Sequence, residues 1–476
     1  MTAVTVAMRD GIAQEMAVST FEELRAQVRG QLLLRGDSGY DAARTIWNGM
    51  IDRKPAAILR CVGTMDIIAG VNFAREHGIT LCLKGGGHNI SGLAVVDDAL
   101  MLDMSQMRGV WVDPSAHMAV AQPGCTLGDV DRETQLHGQA AVLGFVSNTG
   151  IAGLTLGGGF GYLTRKYGWT SDNVLGMDVV TAAGQLIRVS EAENPDLFWA
   201  LRGGGGNFGV VTRIDYRTYD VGPDIMAGAI AWRAEDAPQV LDLFKSVAES
   251  APPELTCTLV LRSVPPAPWL PPEQYGKPMV AMLVCHAGSI TEGEKVVAQL
   301  KSFGKPIGDV IQRRPYITQQ ALLDATQPNG RRYYWKSEYL PGLDAGLFAE
   351  LVKYWETMPS PHSALIIFPI DGAIRNLPDD HSAVGNRNAK MVLNITGSWE
   401  SPAHDDVNIA WTRDAWKATR RFSTGGTYVN FLTEEEGAAR IRDAYGANFD
   451  RLVDVKTKYD PTNLFAANKN IPPRAK

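Results

Sequence analysis

The sequence predicts an α+β protein in two parts whose strands follow different patterns. From residue 56 to about 103, short apolar runs flank one helical stretch, a β-α-β pattern typical of parallel strands. After Gly222-Pro223, long strands alternate with helical stretches, which predicts an antiparallel sheet with helices on one face. Glycine-rich loops are confined to the first part, where 17 of the 48 glycines lie within residues 85–92, 144–168 and 203–209. At 476 residues, the chain is long enough for about two to four domains.

The first part begins with residues 1–50, which we expect to be largely helical, with a charged, leucine-rich stretch at 21–35. An apolar run predicts a strand at 56–62, a helix follows from Thr64, which can cap it, to about His77, and a buried strand occupies 79–83. The remaining predicted elements are a strand at 100–103, a hairpin of 110–112 and 118–121, a helix at 127–137, a hairpin of 178–181 and 186–189, a helix at 195–201 capped by Asn194, and a long strand at 208–219.

The second part alternates long strands with helices up to about residue 420. The predicted strands are 227–232, 256–262, 279–286, 364–369 and 390–395. The predicted helices are 237–249, 292–303, 344–356 and 403–420. After Tyr428, two helices at 434–445 and 447–458 and an extended tail complete the chain.

Composition and charge argue against several classes of protein. The net charge of −6 speaks against a nucleic-acid-binding protein, which should carry a basic face. No stretch reaches the roughly 18 consecutive apolar residues of a membrane helix. The first sixteen residues carry Arg9, Asp10 and Glu15 where a secretion signal would be apolar, so we expect a cytoplasmic protein. The five cysteines are scattered and odd in number, which predicts neither a metal site nor a disulfide framework.

Two glycine-rich loops predict a binding site for an anion. Residues 85–89, Gly-Gly-Gly-His-Asn, directly follow a predicted strand, and Ser91-Gly92 lie shortly after them. A turn needs one or two glycines, whereas a run of three lets bare backbone N–H groups approach an anion. Residues 149–161 have the same character and add the hydroxyls of Thr149 and Thr155. Two such loops in one domain suit a dinucleotide that contains a pyrophosphate.

The sequence contains the spacing of the best-known dinucleotide-binding motif, but not between a strand and a helix, where that motif functions. Gly204, Gly206 and Gly209 have the spacing G-x-G-x-x-G, but they precede a predicted strand. The motif binds phosphate at a helix N-terminus, so we interpret this match as coincidental. The sequence also contains no Walker motif, no His-Glu-x-x-His and no Gly-x-Ser-x-Gly.

The glycine-rich loops form part of a longer series of motifs that identifies a family. Together with Arg165, Asp172-Asn173, residues 203–212 and the C-terminal segments 428–431, 448–452 and 458–471, they resemble the berberine bridge enzyme-like oxidases. These belong to the flavoproteins of the vanillyl-alcohol oxidase and p-cresol methylhydroxylase (PCMH) type. The resemblance runs from about residue 45 to 473 and is weakest at 223–420.

The resemblance implies an FAD cofactor and a two-part FAD-binding domain of the PCMH type, with an inserted antiparallel-sheet substrate domain. The implied FAD-binding domain comprises residues 1–222 and 428–476, and the substrate-binding domain comprises 223–427. The implied cofactor contacts are Gly85, Gly86, Gly87, His88, Asn89, Ser91, Gly92, Thr149, Gly150, Gly153, Leu154, Thr155, Gly157, Gly158, Gly159, Gly161, Asn173, Gly209, Val211, Asn468 and Asn470.

The resemblance also implies that His88 is covalently joined to the 8α-methyl carbon of the flavin. The alternative is a histidine that only hydrogen-bonds within its loop. Many relatives add a second bond from a cysteine, and that position is Val146 here. We therefore expect a single covalent link.

Oxidation of a substrate by a flavin requires a base that takes the proton of the O–H or N–H group. The Tyr-x-Asn motif of the family points to Tyr428, and the alternative is a structural, hydrogen-bonded tyrosine. A free phenol has a pKa of about 10, so Tyr428 needs a nearby cation or hydrogen-bond donor to act near neutral pH. Lys336 and Arg387 are candidates by residue type.

An aromatic and basic cluster at 331–336 is the candidate for substrate binding. It can supply an aromatic wall, although alternate residues of a strand face opposite sides, so one set belongs to the core. We assign Tyr334 or Trp335 to the pocket, and Asn394 and Trp399 are similar in type. Residues 383–387 depart from the relatives, which often carry an aromatic residue and a histidine in this stretch, so the pocket is expected to differ there.

These observations favour an FAD-dependent oxidase. It would remove a hydride from an alcohol or amine carbon of a small or natural-product molecule, use O₂ as acceptor and release H₂O₂. One alternative is a dehydrogenase that passes its electrons to another acceptor. The other is a flavin-bearing binding protein without turnover.

Overall fold

The structure is a computed structural model that describes residues 2–475, and within this range the strands form four sheets that follow one another along the chain. The first is a hairpin of β1 (Ala3–Ala7) and β2 (Ala13–Ala17), followed by the short helix α1 (Val18–Arg25). The prediction that residues 1–50 are largely helical is therefore wrong. Val4 and Val6 are buried on one side of β1, and the chain reverses near Asp10-Gly11, where Gly11 has φ 85°.

The second sheet carries the predicted β-α-β unit. Its strands are β3 (Gln31–Leu34), β4 (Ala57–Arg60), β5 (Leu81–Lys84) and β6 (Leu100–Asp103), in the order β3-β4-β6-β5. The pairs β4–β6 and β5–β6 are parallel, and β3 is antiparallel to β4. The helices are α2 (Tyr40–Arg44) and α3 (Thr64–His77). The predicted end of α3 at His77 is confirmed, and the helix begins one residue before its predicted start. Thr64 is the first helical residue and not its cap, because Gly63 occupies that position.

The third sheet is antiparallel and contains the two predicted hairpins. The strands are β7 (Val110–Asp113), β8 (Met118–Ala121), β9 (Gln139–Ala141), β10 (Val174–Val180), β11 (Leu186–Val189) and β12 (Val210–Asp220). The order is β11-β10-β12-β8-β7, with β9 paired to β12. The helices are α4 (Leu127–Gln135), α5 (Ile151–Leu156), α6 (Thr164–Tyr167) and α7 (Pro195–Leu201). The second glycine-rich stretch thus contains a short helix, α5.

The fourth sheet is the predicted antiparallel sheet of the second part. The strands are β13 (Asp224–Arg233), β14 (Leu255–Ser263), β15 (Pro278–His286), β16 (Gly308–Asp309), β17 (Gln312–Pro315), β18 (Arg332–Leu340), β19 (Ala364–Pro369) and β20 (Met391–Trp399). The order is β16-β13-β15-β14-β19-β20-β18, with β17 paired to β13.

Helices cover one face of the fourth sheet and leave the other face to the first part of the chain. The helices after β13 are α8 (Ala237–Ser250), α9 (Ile290–Lys301), α10 (Tyr316–Gln320), α11 (Ala345–Glu356), α12 (Asp405–Thr419), α13 (Ala438–Tyr445) and α14 (Phe449–Tyr459). Residues of α8, α9, α11 and α12 share one core with the sheet. On the opposite face, Phe368 and Val392 pack with Phe145 and Phe160 of the first part.

The C-terminal segment returns to the first part. Leu452 and Val455 of α14 belong to the core of the third sheet, and Leu464 and Phe465 belong to that of the second. We propose residues 1–222 with 428–476 as one domain and 223–427 as the other. The strand pairing supports this division, because every strand pair within residues 2–475 lies inside one of the two units. None of the helices in this range is long and apolar enough to cross a membrane.

Candidate functional site

A cavity of about 320 Å³ lies between the glycine-rich loops and the uncovered face of the fourth sheet. The loops around residues 85–89 and 149–154 form one wall. Trp335 of β18, Ile366 and Phe368 of β19, and Asn394 and Thr396 of β20 form the opposite wall. Residues 428–431 complete the cavity between them. Both proposed domains therefore contribute to the same site.

Close contact between the two loops explains why glycine occupies their centres. A Cβ on Gly86 would lie 2.4 Å from the Cα of Gly150, so both residues must lack a side chain. Gly87 has φ 71°, which favours glycine. Within residues 2–475 the amides of Gly86, Gly87 and His88 donate to no protein acceptor. Free backbone amides at a cavity wall can bind an anion such as a pyrophosphate.

Unsatisfied polar groups also indicate that the cavity binds a polar molecule. Buried polar atoms normally have a hydrogen-bond partner. Six buried atoms of residues that line the cavity lack one within residues 2–475: Gln327 Oε1, Trp335 Nε1, Asn394 Oδ1, Thr396 Oγ1, Tyr445 Oη and Asn468 Oδ1. They occur on both sides of the cavity, as expected for a dinucleotide on one side and a substrate on the other. The residues present therefore fit FAD.

His88 lines the cavity and is held in an aromatic stack. Its ring stacks on Trp47, with ring centroids 5.0 Å apart and an interplanar angle of 17°, and Trp47 stacks on Tyr333 at 3.7 Å. Burial lowers the pKa of His88 to about 4. The imidazole is therefore neutral at neutral pH and keeps a nucleophilic nitrogen. Val146 also lines the cavity, whereas none of the five cysteines, all within the described residues, does.

Tyr428 is buried at the cavity with two hydrogen-bond donors on its hydroxyl. The Oη atom accepts from the Gly159 amide at 3.0 Å and from Asn430 Nδ2 at 2.9 Å. Burial raises the pKa of Tyr428 to about 12, and the two donors act in the opposite direction because they favour the phenolate. The geometry thus combines a buried phenol with groups that stabilise its deprotonated form.

The prediction that Lys336 or Arg387 lies beside the Tyr428 hydroxyl is wrong. Lys336 donates to Thr433 at 2.7 Å and pairs with Glu435 at 2.9 Å. Arg387 forms a two-pronged ion pair with Asp172. Both cations are neutralised elsewhere, and neutral donors occupy their predicted place at the phenol.

Of the two residues assigned to the substrate pocket, Trp335 lines the cavity and Tyr334 does not. Alternate residues of β18 face opposite sides of the sheet. The Tyr334 hydroxyl therefore donates to Glu435 and accepts from Arg413 Nε, at 2.9 Å, on the far side. Trp399 is also directed elsewhere, since its Nε1 donates to Asp405 at 2.7 Å, whereas Asn394 lines the cavity.

The residues assigned to the cofactor divide into a lining set and a supporting set. Those that line the cavity are Gly85, Gly86, Gly87, His88, Asn89, Thr149, Gly150, Gly153, Leu154, Gly209, Val211 and Asn468. Those behind the wall are Ser91, Gly92, Thr155, Gly157, Gly158, Gly159, Gly161, Asn173 and Asn470. The second set shapes the wall: Thr155 Oγ1 and Tyr216 Oη are 2.7 Å apart, and Asn173 Nδ2 donates to the Trp169 carbonyl at 2.7 Å. A Cβ on Gly161 would lie 2.0 Å from the Leu143 carbonyl oxygen.

Sequence reasoning missed several lining residues. Gly205, Gly206 and Asn207 precede β12, as predicted for the rejected dinucleotide motif, yet they line the cavity. The run of four glycines at 203–206 was the signal, because it exceeds the need of a turn. No comparable sequence pattern surrounds Trp47, which stacks on His88.

Comparisons with known proteins identify an FAD-binding domain and a family. The chain matches the FAD binding domain family over residues 55–190 and the berberine and berberine-like family over residues 427–472. It is 30% identical to (R)-6-hydroxynicotine oxidase of Paenarthrobacter nicotinovorans, over 94% of this chain and 97% of the relative. It is 37% identical to the FAD-linked oxidoreductase pgmH of Aspergillus terreus, over 98% of each.

Solved structures show the same fold. The crystal structure of 6-hydroxy-D-nicotine oxidase from Arthrobacter nicotinovorans has a TM-score of 0.84 at 29% identity and covers 94% of this chain and 98% of its own. Berberine bridge enzyme-like 1 of Physcomitrella patens has a TM-score of 0.85 at 22% identity and covers 96% and 99%. The PCMH-type α+β fold and the FAD cofactor implied by the sequence motifs are thereby confirmed. The chain belongs to the berberine bridge enzyme-like family of FAD-linked oxidoreductases.

Proposed function

We propose that this protein is an FAD-dependent oxidase that oxidises an alcohol or amine carbon of a small or natural-product molecule and reduces O₂ to H₂O₂. The observation that carries the proposal is the Tyr428 hydroxyl, buried at the cavity between two hydrogen-bond donors. Relatives named (R)-6-hydroxynicotine oxidase and chitooligosaccharide oxidase, the latter from Gibberella zeae and 28% identical, support the oxidase assignment.

The residues around the cavity have separate roles in such a reaction. Bound FAD supplies the acceptor for the hydride that leaves the substrate carbon. The proton of the substrate O–H or N–H goes to Tyr428 Oη, and a C=O or C=N bond forms. The amides of Gly159 and Asn430 stabilise the phenolate that takes this proton. Phe160, Phe368 and Phe431 line the cavity and exclude water from the reacting atoms.

We also propose that His88 carries the FAD through one covalent bond. Three features support this: the imidazole lines the cavity, burial keeps it neutral, and the stack on Trp47 fixes the orientation of its ring. Val146 stands at the position where other members carry a second, cysteine link, so the protein itself supplies one attachment point.

The proposed function is tested by mixing the enzyme anaerobically with a panel of alcohols and amines and following the loss of flavin absorbance. Air-saturated buffer is then added to the reduced enzyme. An oxidase is reoxidised rapidly and yields one H₂O₂ per turnover. Slow reoxidation with rapid electron transfer to an artificial acceptor would identify a dehydrogenase. A flavin that no compound reduces would identify a binding protein.

A further inference from the structure

The wall formed by the fourth sheet has a chemical character that narrows the substrate class. Trp335 lies directly opposite Thr396 in the β18–β20 pair, and Ile366 lies opposite Asn394 in the β19–β20 pair. Phe431 connects this wall to the base, because its ring centroid is 5.2 Å from Trp335 and 5.0 Å from Tyr428. The wall therefore lies one aromatic side chain away from the proposed reaction centre.

The polar atoms of this wall need a partner that both donates and accepts hydrogen bonds. Asn394 Oδ1 is a buried acceptor, Trp335 Nε1 is a buried donor and Thr396 Oγ1 is a buried hydroxyl that can do both, and none of the three has a hydrogen-bond partner within residues 2–475. A ligand hydroxyl group can donate to Asn394 and accept from Trp335, whereas an ammonium group can only donate. Leaving a buried donor unpaired is energetically unfavourable.

Among the described residues, the cavity lining also supplies no carboxylate that could pair with a cation. Its lining within the described chain contains Lys469 but neither aspartate nor glutamate. Moving an ammonium group out of water without a paired anion is strongly unfavourable. The aromatic rings of the lining meet edge to face, with interplanar angles of 86° for Trp335–Phe431, 89° for Tyr428–Phe431 and 72° for Phe160–Phe368.

From these contacts, and on the basis of the function proposed above, we propose that the fourth-sheet wall binds an uncharged aromatic alcohol and discriminates against protonated amines. Asn394, Thr396 and Trp335 are the residues that determine this specificity. A sugar carries more hydroxyl groups than this wall has polar partners, and the remainder would lie against Phe145, Phe160 and Phe368. Buried hydroxyls without partners disfavour such a ligand.

The test measures binding alone, so it does not depend on turnover. The FAD-loaded enzyme is titrated at pH 7 with 4-hydroxybenzamide, which is neutral, and with 4-hydroxybenzamidine, which has the same shape and is protonated. Neither compound has an oxidisable C–H bond beside its nitrogen, and the change in the flavin spectrum reports occupancy. Cellobiose serves as the sugar. We expect the amide to bind at least about tenfold more tightly than the amidine, and cellobiose to bind more weakly than the amide.

The variant Asn394→Asp adds one carboxylate to the wall without changing its size. It should shift the ratio of the two dissociation constants by at least about tenfold toward the amidine. The matched control Asn376→Asp adds the same charge at an exposed position and should leave the ratio unchanged. If Asn394→Asp does not retain FAD, Thr396→Val, which keeps the shape and removes the acceptor, should weaken amide binding several-fold.

Tighter binding of the amidine than of the amide to the wild-type enzyme would overturn the inference, and so would tighter binding of cellobiose than of the amide. The inference would also fail if Asn394→Asp left the ratio of the two dissociation constants unchanged, or if Thr396→Val left the affinity for the amide unchanged. A flavin spectrum that responds to none of the compounds would overturn it as well. If the amide binds as expected while no alcohol reduces the flavin, the specificity stands and the proposed oxidase function fails.

Discussion

The Gly159 amide donates a hydrogen bond of 3.0 Å to the Tyr428 hydroxyl, joining the second glycine-rich loop to the C-terminal segment. The loop thus has a second use besides leaving space for the cofactor. It fixes an oxygen atom at the cavity and favours its deprotonated form, together with Asn430. The rate of substrate oxidation should therefore depend on this oxygen.

Replacing Tyr428 with phenylalanine removes the proposed base and keeps the ring. We expect the rate of anaerobic flavin reduction by substrate to fall by about 10²–10⁴-fold, the usual contribution of a general base. Flavin content and substrate affinity should stay close to those of the wild type. A variant that reduces its flavin at the wild-type rate would assign Tyr428 a structural role.

Asn430→Ala removes one of the two donors from the phenol. Since burial raises the pKa of Tyr428 to about 12, the deprotonated fraction grows as the pH rises toward that value, and kcat/KM should rise with it. Loss of the donor raises the pKa further, so the same rise should occur at higher pH and the rate at pH 8 should fall. Lys336→Gln, which removes a cation paired with Glu435, is the control and should keep the wild-type profile.

His88→Ala should abolish covalent attachment of FAD. Acid-precipitated wild-type protein should remain yellow, and its intact mass should exceed that of the polypeptide by one FAD. The precipitate of the variant should be colourless. His137→Ala changes an exposed histidine and should behave as the wild type. A wild-type protein that releases all its flavin in acid would contradict the assignment.

The ion pair between Arg387 and Asp172 should contribute to stability and not to the chemistry. Their side chains are 2% and 3% exposed. Arg387→Met would leave a buried carboxylate without its cationic partner and should lower the free energy of unfolding by about 3–5 kcal/mol, measured by urea titration. Arg421→Met breaks a more exposed pair with Glu350 and should cost at most about 1 kcal/mol. An Arg387→Met protein of wild-type stability would refute this assignment.

The contact between Gly86 and Gly150 should be intolerant of a single methyl group. Because a Cβ on Gly86 would lie 2.4 Å from Gly150 Cα, we expect Gly86→Ala to destabilise the protein by about 1–3 kcal/mol and to lower its flavin content. The control Gly342→Ala places its Cβ where no atom lies within 4 Å. Thermal unfolding and the ratio of flavin to protein absorbance measure both effects.

The sequence predicted the elements whose signal is local. Helix α3 ends at the predicted His77 and begins one residue before its predicted start, because apolar residues recur at a helical period between these ends. The antiparallel sheet was evident from its alternating strands and helices. The hairpin of β1 and β2 was missed although Val4 and Val6 alternate before Asp10-Gly11, since the short strands were outweighed by the charged stretch that follows.

The part of the site formed by glycine backbone was predictable from the sequence. Contacts between residues that are distant in the sequence were not. The glycines of the two loops indicated the cofactor wall, and the Tyr-x-Asn motif indicated Tyr428. The neighbours of Tyr428 depend on Gly159, 269 residues away in the chain, and no spacing reveals that contact. The choice between Trp335 and Tyr334 required the direction of each side chain on β18, which follows from the helices that cover only one side of the sheet.

The stack of Tyr333, Trp47 and His88 crosses from the fourth sheet to the first glycine-rich loop. Its three rings belong to both proposed domains, so the domains cannot separate without exposing the indole of Trp47 to water. The chain should consequently melt in one cooperative transition rather than two.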